Sequence, residues 1–510
     1  MLLTDDKFFN DPEFREMLKA YEEAASKGMP PFFDADDLID IADYYRLTDQ
    51  MDKAMEVAQN AIDLFPNATL PNVFMARNAL QNDNLKEAEY YVSMIEAEDD
   101  PDYIYIKAEL LIYQYKLEEA EKLLEAKFHE LTNDDNGWFI KDVANLYLDY
   151  GEYERGYTWM MRYCDVKDDD YKELLGRALY GTWKLEECES IFTELADKYP
   201  FDKKYWKVLA EAQLSQNKFD EAINSSEYAI AIDPDDPVPH GIKASALMGK
   251  GNWEEAVKFF KTALSHAQYD CSGYIQLATC LINTNEFKEA LEWLEKALKE
   301  SGNAKEYAGA IYHQMALCQG ALGNNEEAKK LLDKAEEKGE NKTDLYVARA
   351  HILQTEKQYE AADRYFNKAL ELSTDQMHTL IRIAISLTDC QRYKECLQLL
   401  KEKLPVIDEN CTEGLSLLAL CSLRLNQAED FLYYLRLAAE RNPIELRMIL
   451  GAYFPENMAT KDYYDFAYKQ IHKSKQQCTL LHHSLPTSTM APYSSSCYSK
   501  ARSYPYHQNS

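Results

Sequence analysis

One short pattern governs this chain: an aromatic residue or Leu, two residues that usually include Glu, then Ala. It stands as LKEA ending at Ala88, LEEA at Ala120, FDEA at Ala222, WEEA at Ala256, FKEA at Ala290 and YEAA at Ala362. Looser copies end at Ala54, Gly156, Cys188, Ala328, Cys396 and Phe431. The intervals between the twelve anchors are 34, 32, 36, 32, 34, 34, 34, 38, 34, 34 and 35 residues. A period of this length constrains the fold severely, because each unit is one supersecondary element that must bury its apolar face on its neighbours.

The frame can be tested on residues that did not set it. If each unit begins nineteen residues before its anchor, its eighth residue should be small, where two helices cross. Those residues are Ala42, Ala76, Ala108, Ala144, Gly176, Ala210, Ala244, Ala278, Ala316, Ala350, Ala384 and Ala419. A second small residue follows the anchor by seven at Ala61, Ala229, Ala263, Ala297, Ala335, Ala369 and Ala438. Pro66, Pro200, Pro234 and Pro443, twelve residues after their anchors, close the second helix, since proline has no amide with which to continue it. Turn formers such as Gln216-Asn217 and Thr284-Asn285 separate the two helices.

Period, small residues and terminal proline together resemble the tetratricopeptide repeat family over roughly residues 35–445. Tyr45 and Tyr147 keep the tyrosine of the first helix, which most units replace with Leu. The resemblance implies an all-α, right-handed superhelical solenoid of about twelve helix-turn-helix repeats. The first helix of each unit would line the concave side. Length changes near 120–156 and 290–328 predict longer or distorted turns there.

Four segments follow. Residues 1–34 hold an N-terminal capping helix with Phe14, Met17, Leu18 and Tyr21 on one face; 35–445 are the array; 446–472 are capping helices. Residues 473–510 contain no Asp or Glu and are rich in Ser, Tyr, His and Pro, which predicts a disordered or non-native tail.

Charge excludes more. Residues 1–200 carry 46 Asp and Glu against 20 Lys and Arg, a balance of −26 out of −32 for the whole chain. Such a body repels phosphate backbones, so nucleic acid is not expected as a partner. No basic-plus-apolar leader begins the sequence and no apolar run approaches a membrane span, so a cytoplasmic protein without membrane insertion is expected. Eleven cysteines without a C-x-x-C pair fit free thiols. Cys188 and Cys396 replace the anchor Ala and read as core.

Phosphate-loop, dinucleotide, zinc-protease and serine-hydrolase motifs are absent, so neither an enzyme nor a cofactor or metal is expected. The acidic runs at 98–100 and 168–170 lack the calcium-loop spacing and read as helix caps. His313, His351 and His378 share the first-helix face in successive units. They read as solvated groove residues rather than a metal or pH site.

The chemistry that remains is that face itself. Positions 2, 5, 9 and 12 of each first helix point one way. They supply the partner-binding candidates Asp43, Tyr105, Glu109, Trp138, Lys141, Asn145, Glu173, Arg177, Tyr180, Lys207 and Glu211, together with Asp36, Asp102 and Asp170. Aromatics among mainly acidic charge suit an extended or helical peptide with basic residues. Lys141, Asn145 and Lys204 match part of a carboxylate clamp found in the family, but Leu174 and Val208 stand where its remaining polar residues belong. The expected function is a protein–protein interaction scaffold or adaptor. The alternatives are a peptide sensor acting through a separate effector, or a non-catalytic arm of an enzyme complex. The sequence leaves partner, process and oligomeric state open.

Overall fold

The computed structural model describes residues 6–26, 33–131, 136–162, 168–266, 271–300, 304–408, 410–455 and 457–474. Every regular element among them is helical, so the fold is an all-α helical-repeat solenoid. The tail, from residue 475 onward, lies outside the described residues.

The chain forms two compact units, 1–198 and 199–510. The first holds five helix pairs, designated repeats 1–5 with helices A and B. They are Ala35–Leu47 with Met51–Leu64, Thr69–Gln81 with Leu85–Ser93, Pro101–Tyr113 with Leu117–Glu130, Asn136–Asp149 with Tyr153–Met160, and Asp169–Gly181 with Leu185–Lys198. The second unit holds repeats 6–12. They are Lys203–Ser215 with Phe219–Ile232, Pro237–Gly249 with Trp253–His266, Cys271–Asn283 with Phe287–Glu300, Ala304–Ala321 with Asn325–Glu337, Lys342–Thr355 with Tyr359–Leu372, Gln376–Asp389 with Tyr393–Ile407, and Leu415–Arg424 with Ala428–Arg441.

Ten of the twelve A helices begin within one residue of the start read from the sequence. Position 8 is buried in every repeat, from Ala42 to Ala419, as is the anchor from Ala54 to Phe431. Carboxylates cap the A helices: Asp100 Oδ1 accepts from the Asp102 amide at 3.0 Å and Asp168 Oδ1 from those of Asp170 and Tyr171 at 3.0 and 3.3 Å. These are the acidic runs read as caps, satisfying amides that have no partner inside the helix.

Length changes are absorbed in helices as well as turns. After the 32-residue steps' anchors at Ala88 and Gly156, the B helices run only nine and eight residues. The 38-residue step is taken up largely by extending helix A of repeat 9 to 18 residues, starting at Ala304. Four extra residues add about one α-helical turn and so keep the apolar face in register; the turn before this helix, residues 301–303, lies outside the described residues.

The ends of the array pack on it. Phe14, Leu18 and Tyr21 of Pro12–Ser26 are buried against Leu38, Ile41 and Tyr45 of repeat 1. The Tyr45 hydroxyl donates to Glu22 Oε1 at 3.0 Å. Between repeats 3 and 4 the equivalent Tyr147 hydroxyl donates to Glu121 Oε2 at 2.6 Å, from helix B of the preceding repeat. The N-terminal helix therefore takes the place of a preceding helix B. At the other end Leu446, Leu450 and Tyr463, from Pro443–Leu450 and Tyr463–Ser474, join the core of repeats 10–12.

Candidate functional site

In the first unit, the A helices bring residues of successive repeats together on one face. Arg77 of repeat 2 donates through Nε to Glu109 Oε2 of repeat 3 at 3.0 Å, and the Tyr150 hydroxyl of repeat 4 donates to Glu109 Oε1 at 3.1 Å. Arg177 of repeat 5 reaches back to Asn145 Oδ1 at 2.8 Å and Asp149 Oδ1 at 2.9 Å. Lys141 holds Asp168 Oδ2 at 2.7 Å. Asp43 pairs within its own helix with Arg46 at 2.8 Å. Glu173 and Tyr180 lie half-buried on helix A of repeat 5.

One correction applies to the aromatic candidates. Trp138 is 39% exposed, but Tyr105 is only 6% exposed. Its ring stacks on Phe139 at 5.4 Å and meets Trp138 edge-on at 6.5 Å. Packing between neighbouring repeats therefore turns Tyr105 from a groove surface into the support of Trp138. Lys141 and Asn145, two of the clamp-like residues, are engaged by Asp168 and Arg177 in side-chain bonds within the protein.

The charge pattern is sharper than the sequence reading. Burial, then Asp43 and the neighbouring Asp37, Asp36 and Asp34, push the Asp40 carboxyl up to about 6. Asp36 and Asp102 are raised too, first by burial and then by Asp34 and Asp100 respectively. Asp142 is raised by burial against the opposing effect of the Tyr105 hydroxyl. Asp40, Arg77 and Asp142 were missed as candidates. Asp40 and Asp142 occupy position 6, one turn beyond position 2, so a wider stripe would have found them; Arg77 sits at position 9 and was legible.

In the second unit, Lys207 holds Asp236 at 3.1 Å. Glu211, one turn further along helix A of repeat 6, is pushed up to about 7 by burial, with Lys207 opposing. His313 and His351 are not solvated groove residues, whereas His378 is half-buried. His313 is 7% exposed, and burial pulls His313 and His351 each down to about 4. His351 Nδ1 meets Ser386 Oγ at 3.0 Å, and Gln354 shares that hydroxyl at 2.8 Å. Asp344 pairs with the buried Arg382 guanidinium. Adjacent A helices pack close enough here to remove the imidazoles from water.

Cys188, Cys280, Cys318, Cys396 and Cys421 are fully buried, in keeping with the reading of Cys188 and Cys396 as core. Among the described residues no three His, Cys, Asp or Glu side chains form a cluster fit for a metal ion. No helix of the described residues is long and apolar enough to cross a membrane.

Comparison with known proteins agrees with the repeat geometry. Tetratricopeptide repeat families match residues 174–237, 213–272, 272–303, 309–337 and 343–376. The chain is 23% identical over 247 residues to mouse anaphase-promoting complex subunit 7, covering 47% of this chain and 42% of that one. It is 23% identical over 260 residues to the TPR repeat-containing protein YpiA of Bacillus subtilis, covering 44% of this chain and 60% of that one. These matches span less than two thirds of either relative. The crystal structure of yeast Tom70 is 16% identical, with a TM-score of 0.40 over 87% of this chain and 99% of that one. With twelve helix pairs in one frame and family matches running through the middle repeats, the chain is a multi-repeat protein of the tetratricopeptide repeat family.

Proposed function

We propose that the chain is a non-catalytic protein-interaction scaffold, and that the A-helix face of repeats 1–5 is the groove that holds a segment of its partner. The observation that carries this reading is the placement of Asp36, Asp40, Asp102 and Asp142, carboxylates of three repeats gathered on one face and raised together. A fold that keeps like charges partly desolvated carries a cost that a bound cationic segment offsets. The name of the matched mouse protein, a subunit of a multiprotein complex, accords with a scaffold role. In this reading the helix Pro12–Ser26 and those after Pro443 act as caps that cover the array's apolar ends.

Affinity capture from cell lysate tests the face. The comparison is the intact protein, a Trp138→Ala/Glu173→Lys variant, and a control changed at Tyr228→Ala, an exposed residue of helix B in repeat 6. Glu109 is left intact because its bonds to Arg77 and Tyr150 hold three repeats together. The expected result is one partner recovered by the intact and control forms and lost from the groove variant. Equal recovery by all three would place binding elsewhere on the protein.

A further inference from the structure

Within that face, one group of residues has the chemistry of a specific receptor. Trp138 is the exposed wall, held upright by edge-on contacts with Tyr105 at 6.5 Å and Phe139 at 5.9 Å. Asp142 stands one turn along the same helix from Trp138, and Asp102 one turn before Tyr105 on helix A of repeat 3. The Tyr105 hydroxyl is buried and faces Asp142, whose carboxylate it favours. Arg77 and Lys141, whose charges act on Asp102 and Asp142 respectively, are ion-paired with Glu109 and Asp168. The group thus combines an exposed indole, two partly buried carboxylates on neighbouring repeats and a buried hydroxyl turned to one of them.

We infer that Trp138, Tyr105, Asp102 and Asp142 form a receptor for one Lys or Arg side chain of a peptide bound in the groove. The inference rests on the scaffold reading and names the chemistry of its partner. An aliphatic stem laid against the Trp138 indole brings a cationic head over the ring face, where the ring quadrupole attracts it. The head then lies between two carboxylates, in a setting where charge-assisted hydrogen bonds are strengthened by limited solvent. The occupant is a basic peptide segment, as the −26 balance of residues 1–200 also favours. An acidic segment would add to the repulsion already present, so the receptor selects by sign.

The test uses the full chain and fluorescence anisotropy with a labelled twelve-residue peptide of alternating Lys and Ala, read against its Glu-Ala counterpart. Asp102→Asn/Asp142→Asn removes two charges from the receptor. Glu327→Gln/Glu360→Gln removes two from B helices of repeats 9 and 10 and controls for net charge. At moderate salt the expected loss of affinity is about tenfold or more for the Asp pair, about threefold for Trp138→Ala, and less than about twofold for the control. The melting temperature of the Asp pair should equal or exceed that of the unaltered chain, because like-charge repulsion is relieved; this separates lost binding from lost folding. Equal losses for the Asp pair and the control would overturn the receptor and leave diffuse attraction. Binding of the acidic peptide, or no binding of the basic one, would overturn it as well. The scaffold reading stands or falls separately, on whether the partner captured from lysate depends on Trp138 and Glu173.

Discussion

At the scale of single residues, Gly176 shows how closely the repeat is fitted. Eleven repeats carry Ala at this position, yet a Cβ added to Gly176 would lie 2.5 Å from Phe192 Cε2. Alanine improves helix propensity by about 1 kcal/mol, whereas overpacking costs about 1–3 kcal/mol. Gly176→Ala should therefore lower stability by roughly 1 kcal/mol in urea denaturation, and adding Phe192→Leu should restore the loss. Asp40 gives a pH prediction. Its carboxyl is raised to about 6 in the fold, above the ordinary Asp value, so the folded state binds more protons than the unfolded one between about pH 4 and 6. Stability contributed by the protonated group falls as pH rises through that window. Asp40→Asn should flatten the fall and raise stability at pH 7 by about 1 kcal/mol after solvent screening, as thermal melts across the range would read. The small residues at position 8 were legible because the crossing within one repeat demands them. The burial of Tyr105 and His313 was not, because it depends on how closely the next repeat packs.

At the scale of the element, the A–B turn repeats as faithfully as the helices. One residue in each turn is left-handed, five positions before the anchor: Asp49, Asp83, Tyr115, Gly151, Trp183, Asn217, Gly251, Asn285, Gly323, Lys357, Gln391 and Asn426. Gly, Asn and Asp suit this conformation because they bear no Cβ or a short side chain able to bond locally. Tyr115 and Trp183 do not, and they are 90% and 62% exposed, so little packing compensates the strain. Tyr115→Gly should raise stability by about 1 kcal/mol in equilibrium unfolding, with no change in helical content. A destabilised variant would mean that the ring has a contact worth more than the strain. The turn sites were visible in the sequence at Asn217 and Asn285, where the residue type announces the conformation, and hidden at Tyr115 and Trp183. Helix lengths were likewise hidden, since the spacing of anchors cannot say whether a helix or a turn absorbs the difference.

At the scale of the molecule, the repeat frame and the uneven charge are the two properties that matter. The frame places one A helix per unit, and the excess of acid falls mostly within residues 1–200. Register alone made the array and its A-helix face legible; which side chains remain free on that face depended on pairs such as Arg77–Glu109 and Lys141–Asp168, formed between repeats. In the proposed function the A-helix face of repeats 1–5 receives the partner. Site-specific photo-crosslinking tests it most directly, with a photoreactive residue placed in the full chain at Trp138, or at Tyr90 on helix B of repeat 2, which is 58% exposed. A crosslink to one partner is expected from position 138, through a segment containing Lys or Arg, and none from position 90. A crosslink from position 90 with none from 138 would contradict it.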